Sequence, residues 1–273
     1  MTDAALAAPL AGLPATAPGF EPGARLTIGA YTIRFAETAE DLRAVQRLRF
    51  EVFNLELNEG LQESFRTGLD EDMFDTGCCH VMVIDDRAGE VVGTYRLRTF
   101  EMAVEDGGFY SAGEFRLGQL PEDVLRRGLE VGRACVAGGH RSGRVIALLW
   151  KALGRFMVVN HKRYLFGCCS LTGQDPTLGA QVYEHLAAAG RMHPLWRVEP
   201  LDALPRVPVD ADQTAPRLPP LFEGYMRLGA HVCGWPAIDP LFDTTDFLVV
   251  LDLDVLTEQA RKRFLDDRGW SAP

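Results

Sequence analysis

No stretch of the 273-residue chain approaches the roughly 20 consecutive apolar residues that a membrane-crossing helix needs. The six cysteines never fall in a Cys-x-x-Cys spacing, which removes the commonest zinc and dithiol signatures. Two adjacent pairs, Cys78-Cys79 and Cys168-Cys169, would point to opposite faces of a strand and suit neither a shared metal nor a mutual disulfide. They read as small buried hydrophobes of a reducing compartment, so a cytoplasmic protein with no metal site is expected. There is no GKS or GKT of a P-loop, no GxGxxG opening a helix, and no repeat at a solenoid period. A formal charge of −10 excludes a general nucleic-acid surface and adhesion of the whole surface to anionic lipid. The start, MTDAALAAPLAGLPATAPGFEPGAR, lacks a basic n-region and is broken by four prolines; it is no secretory signal, and residues 1–27 read as a flexible leader.

The most informative shortage is local. Between Val131 and Gln174 there is no Asp or Glu, while Arg133, Arg141, Arg144, Lys151, Arg155, Lys162 and Arg163 all lie there. On a helix over 143–160, Arg144, Lys151, Arg155 and Lys162 share one face, with Ile146, Leu149, Leu153, Phe156 and Met157 opposite. One reading is a solvated charged face. The other is an anion site, because Arg141, Ser142, Gly143 and Arg144 follow a Gly138-Gly139 turn where a helix N-terminus offers unpaired N–H groups and a positive dipole end. The anion could be a phosphate on a coenzyme A or on the phosphopantetheine arm of an acyl carrier protein, and a basic stripe on an acidic chain would steer an acidic carrier to one face.

Patterned segments fill the rest. AYTIRFAE (30–37) alternates like a strand, and Thr38 caps a helix running to about Phe53. Residues 79–85 and 91–98 form a hairpin, 129–136 and 164–170 are strands, and a helix lies near 178–189. Proline over 192–220 excludes long elements, a short helix follows, and 246–253 is a final strand that Asp243 and Asp246 precede as turn caps. From Thr257 the tail, within 256–273, is a charged helix. Strands and helices in this order predict one α/β domain over 28–255, a mixed sheet flanked by helices. Within it, GLEVGRACV (128–136) sets Glu130 and Arg133 among buried positions, a cost that requires either their mutual pairing or a cleft. They stand three apart, so a regular strand would send them to opposite faces.

LEVGRACVAGGHRSGRVIALLWKALGRFMV with RYLFGCCSLTGQDP resembles the GNAT-like N-acyltransferases that make lyso-ornithine lipid. RLRFEVF (47–53), LDEDMFD (69–75), VVGTYRLR (91–98), PPLFEGYMRLGAHV (219–232) and FDTTDFLVVLDL (242–253) resemble the same family, so that the likeness covers roughly residues 28–255. Gly-Gly-His-Arg departs from the Pro-Asp-Tyr-Arg sort of turn of that family, and the match there is Arg141. A more distant similarity is to acyl-homoserine-lactone synthases, whose motif residues fall on Arg49, Asp72 with Asp75, Arg96, and Glu130 with Arg133.

The resemblance implies a GNAT fold and transfer of a long-chain, 3-hydroxylated acyl group from acyl carrier protein to the α-amine of L-ornithine, with the carrier thioester as co-substrate and no bound cofactor. It implies a bulged central strand, tolerable at Gly132, that brings Glu130 and Arg133 to one side, with Glu130 as general base; the alternative is a structural salt bridge between the two. Arg49 and Arg96 would hold the acceptor carboxylate, and Asp72 and Asp75 its ammonium group or, alternatively, bracing ion pairs with those arginines. Arg141, Ser142, Gly143, Arg144, Lys151 and Arg155 would face the phosphopantetheine and the carrier. An amphiphilic product implies visits to the inner membrane surface through Leu195, Trp196, Leu218 or Leu221. Other acceptors, and a non-enzymatic carrier-binding module, remain competing readings.

Overall fold

The computed structural model describes residues 23–209, 216–265 and 269–271. The leader expected over 1–27 lies outside them as far as residue 22, and its end is already a strand. In chain order the strands are β1 Arg25–Ile28, β2 Tyr31–Phe35, β3 Cys79–Asp85, β4 Glu90–Thr99, β5 Gly128–Val136, β6 Tyr164–Thr172, β7 His231–Val232, β8 Ala237–Asp239 and β9 Thr244–Asp252. The helices are α1 Ala39–Arg49, α2 Ser64–Thr67, α3 Phe100–Glu105, α4 Glu122–Arg126, α5 Arg144–Val159, α6 Pro176–Ala188, α7 Pro220–Leu228 and α8 Glu258–Phe264. They pack on one mixed sheet of order β1-β2-β3-β4-β5-β6-β9-β7, with β8 also on β9. The pairing of β5 with β6 is parallel and the others are antiparallel.

The alternation of the strands divides two cores. Leu97, Leu129, Val131 and Leu165 pack with Leu149 and Phe156 of α5 and Phe222 of α7 on one face. Phe166, Leu248 and Val250 point the other way, onto Phe109, Phe115 and Val124. Cys168 and Cys169 obey the same rule: Cys169 joins the first core and Cys168 the second. Thr38 caps α1 as expected, accepting from Asp41 N at 3.1 Å, while Asp41 accepts from the Thr38 backbone at 3.3 Å. Such a cap is worth about 0.5–2 kcal/mol. The chain then widens into a π-helical segment, Phe50–Glu56, rather than ending at Phe53.

Two departures shape the site. Opposite Thr94 and Arg96 of β4, β5 places Cys135 and Gly132, so β5 spends an extra residue there. The bulge falls beside Arg133, whose φ of 48° lies in the left-handed region, and not at Gly132 itself. The parallel β5–β6 ladder stops at the Glu130–Phe166 pair, while β6 stays paired to β9 along its whole length. The sheet therefore parts between β5 and β6. Just at the fork the backbones are close, since a Cβ on Gly167 would meet Val131 O at 2.2 Å.

Candidate active site

A cleft open to solvent lies at this fork, with Arg96, Arg98, Glu130, Cys168, Asp239 and Asp246 among its walls. Glu130 is buried and accepts three hydrogen bonds, from Tyr110 N at 2.9 Å, Ser111 N at 2.8 Å and Ser111 Oγ at 2.7 Å. Burial pushes its carboxyl above the ordinary range, and the donors from Ser111 and Tyr110 pull the other way without winning. The expected bulge does bring Glu130 and Arg133 to the same cleft, yet they do not pair. Arg133 reaches Asp70 through both Nε, at 3.1 Å from Oδ2, and Nη2. Its guanidinium sits between the rings of Phe53 and Phe242, 4.1 and 4.5 Å from their centroids. A left-handed non-glycine residue costs of order 1–3 kcal/mol, and this bidentate, stacked anchorage is what holds it.

The residues expected to hold the acceptor are tied to one another instead. Arg49 is fully buried and does not line the cleft; its Nε lies 2.6 Å from Asp70 and its Nη1 2.7 Å from Asp75. Arg96 binds Asp72 at 2.5 Å and Asp75 at 3.0 Å. Gln46 donates to Asp75 at 3.0 Å, and buried His80, pushed down to about 4 by its burial, stands 2.9 Å from Asp75 O. Despite a large burial penalty, the arginines hold Asp70 and Asp75 below the usual carboxylate range. The bracing alternative is what the geometry shows, with Asp70, overlooked in the sequence, as a hub between Arg49 and Arg133.

Arg98 was overlooked as well. It faces Glu130 directly across the β4–β5 ladder, lines the cleft, is buried, and has no hydrogen-bond partner for its Nε and Nη2. Asp246 likewise is no turn cap: it is buried within β9 on the cleft wall. Oxygen or sulfur atoms of Asp246, Glu114 and Cys168 come within 4.8 Å of one another. Burial, then the charges of Asp246 and Asp239, push Glu114 up to about 10, and burial with Asp239 nearby pushes Asp246 up to about 6.

The basic stripe is largely neutralised by remote acids. Arg141 pairs with Glu56 at 2.5 Å, buried Lys162 with Glu101 at 2.8 Å, and Arg163 with Asp252 at 2.6 Å. Lys162 lies beyond the end of α5, off the face predicted for it, and Arg155 stacks on Trp270, 5.0 Å from the ring. Gly143, with φ 85°, starts α5 next to exposed Ser142 and Arg144. Of the apolar membrane candidates, Leu218 and Leu221 pack on the first core and Trp196 stacks on His193, while Leu195 is 82% exposed. Among the described residues no helix is long and apolar enough to cross a membrane.

Residues 48–151 match the acetyltransferase (GNAT) domain family. An L-ornithine N(alpha)-acyltransferase of Rhizobium meliloti (strain 1021) is 33% identical over 255 residues, 88% of this chain and 86% of that protein. One from Agrobacterium fabrum is 35% identical over 238 residues, 82% of this chain and 81% of its own. Among solved structures, an N-acyl amino acid synthase from uncultured soil microbes superposes with a TM-score of 0.51 at 11% identity, over 85% of this chain and 97% of its own. A GNAT domain, a sheet parted beside a bulged strand and this level of identity agree: the chain belongs to the L-ornithine N(alpha)-acyltransferase family of GNAT-type acyltransferases.

Proposed function

We propose that the chain transfers a long-chain, 3-hydroxylated acyl group from acyl carrier protein to the α-amine of L-ornithine. The observation that carries this reading is the buried Glu130 carboxyl, with its raised proton affinity, at the fork between β5 and β6 beside Arg98, whose Nε and Nη2 make no hydrogen bond. The names of the curated relatives support ornithine as the acceptor. The pantetheine arm would enter between the splayed strands, its phosphate near Gly143 and Ser142, where α5 presents its N-terminus. Arg144, exposed on the first turn of α5, and half-buried Lys151 would face the acidic carrier. Arg98, rather than Arg49, would take the acceptor carboxylate, because it lines the cleft and its Nε and Nη2 make no hydrogen bond, whereas Arg49 lies outside the cleft lining.

In the reaction the amine attacks the thioester carbonyl. The new C–N bond forms as the C–S bond breaks, the amine proton passes to Glu130, and Glu130 returns it to the departing carrier thiolate, which leaves as a thiol. A backbone N–H of the splayed strand would polarise the carbonyl. Glu130 keeps a capacity for this proton because three donors occupy only part of the roughly four acceptor positions of a carboxylate. The buried cysteines are poor nucleophiles here: Cys135 is pushed up to about 12 by burial, so an acyl-enzyme is disfavoured. The amphiphilic product would leave toward the cytoplasmic membrane face, with exposed Leu195 as a contact.

The test is an assay of purified protein with 3-hydroxyacyl carrier protein and ornithine or the common amino acids, read by mass spectrometry. N-acyl-ornithine is the expected product, and Glu130→Gln should lower kcat about 100-fold or more with carrier binding kept. Product from another amine alone would overturn the acceptor, and unchanged turnover in the variant would remove Glu130 as the base.

A further inference from the structure

We infer that Glu114 and Asp246, with Cys168 between them, form the receptor for the second ammonium group of a diamino-acid acceptor. The inference rests on the proposed acyl transfer to an amino acid and assigns the residues that would select ornithine. Both Glu114 oxygens and Oδ1 of Asp246 are buried without a hydrogen-bond partner, although the residues are only 8% and 2% exposed. A buried polar oxygen left unsatisfied costs about 1–3 kcal/mol, more when charged, so three in one spot are not kept for stability. Their position is the second point. Asp246 and Cys168 line the same cleft as Glu130. Ser111 Oγ joins the two ends, 2.7 Å from Glu130 Oε1 and 3.6 Å from Cys168 Sγ.

An extended ornithine spans about 6 Å between its two nitrogens at ordinary bond lengths, which suits an α-amine at Glu130 and a side-chain ammonium at the far wall. Asp239 adds negative charge there, while Tyr110 Oη donates to its Oδ2 at 2.8 Å and holds it in place. An ammonium brings three donors and one positive charge, which fits three orphan oxygens and returns both carboxyls to their ionised form. A divalent metal is the competing occupant, and the metal content of the purified protein separates the two.

The experiment compares L-ornithine with L-norvaline, which has the same carbon chain and no second amine, using the purified full-length protein with Glu114→Gln and Asp246→Asn. The wild type should prefer ornithine at least about 100-fold in kcat/KM, since a site of buried polar groups rejects an analogue that leaves them unpaired. Each variant should lose about 10-fold or more on ornithine, mainly in KM, with norvaline changed less than about threefold. Ornithine, and not norvaline, should raise the Tm of the wild type and not of the variants. Equal losses on both acceptors, an unchanged preference in both variants, or stoichiometric metal in the purified protein would overturn the receptor. Should the wild type acylate neither compound while ornithine still raises its Tm selectively, the receptor stands and the transfer reading fails. No acylation and no selective rise in Tm would end both.

Discussion

Two clusters of buried acids share one side of the sheet, and they are finished differently. Around the first, Asp70, Asp72 and Asp75 meet Arg49, Arg96 and Arg133, and each of these carboxylates touches at least one guanidinium. Around the second, Glu114, Asp239 and Asp246 meet no lysine or arginine in any ion pair among the described residues. Arginine in the first cluster lowers the proton affinity of Asp70 and Asp75, whereas burial and neighbouring acids raise it for Glu114 and Asp246. A buried acid with its counter-ion built in fixes the backbone, here the bulge at Arg133. A buried acid without one is costly to the fold, and the cost is recovered when a cation arrives from outside.

The largest expected effect is therefore on the first cluster. Arg49→Ala would leave Asp70 and Asp75 short of a partner in a fully buried place, and should cost about 3–5 kcal/mol in denaturant unfolding. A loss under about 1 kcal/mol would mean that these carboxylates are served by Arg96 and Arg133 alone, and the contrast between clusters would weaken.

Next comes pH, where the clusters should pull in opposite directions. Asp70 and Asp75 have depressed affinities for protons, so their contribution is complete above the unfolded value near 3.8 and is lost as pH falls below it. Glu114 and Asp246 are raised; the folded state binds more protons than the unfolded one, and stability declines as pH climbs from the unfolded values near 4.5 and 3.8 toward about 10 and about 6. Tyr110, Asp239 and Cys168 also face Glu114, which sharpens the penalty for ionising it. Thermal unfolding across pH 5 to 9 should show the decline in the wild type and a flatter profile in Glu114→Gln. At pH 8 the variant should gain about 1 kcal/mol, or roughly 2–4 °C in Tm. A parallel profile in both proteins would show that Glu114 is ionised at no cost.

The same contrast explains what could be read in the sequence. Local devices were legible, because they are written within a few residues: the Thr38 cap, the hairpin of β3 and β4, the glycine turn before α5 and the paired alternation of Cys168 and Cys169. The family motifs led to Glu130 and to a bulge beside it. Strands β1, β7 and β8 were missed, being two to four residues long, too short for an alternating pattern to stand out. The roles of charges were the least legible. The motif offers Arg49 and Arg96 either to an acceptor or to bracing acids, and only the fold shows Asp70, Asp72 and Asp75 paired with them. Glu114, just after the Tyr110–Gly113 turn, and Asp246, on β9, lie 132 residues apart and meet only in the folded chain; nothing local marks them. What distinguishes a bracing acid from a receiving one is the partner it lacks, and that is a property of the folded chain.

The smallest effect concerns the surface, where the question of built-in partners recurs among the basic residues. Arg141, Lys162 and Arg163 have their acids within the fold, from Glu56, Glu101 and Asp252, so reversing any of them would disturb structure before recognition. Arg144 is exposed at the start of α5 and has no such acid among the described residues, which makes it the cleaner probe of a docking face. Arg144→Glu should leave Tm nearly unchanged and weaken binding of the acidic acyl carrier protein by about 3- to 10-fold at low salt, mostly through a slower on-rate. The difference should shrink as added salt shortens the screening length to about 3 Å near 1 M. If affinity for the carrier were equal in variant and parent at low salt, the carrier would have to approach by another side of the cleft, and the rule that only charges without internal partners serve recognition would hold for the acids alone.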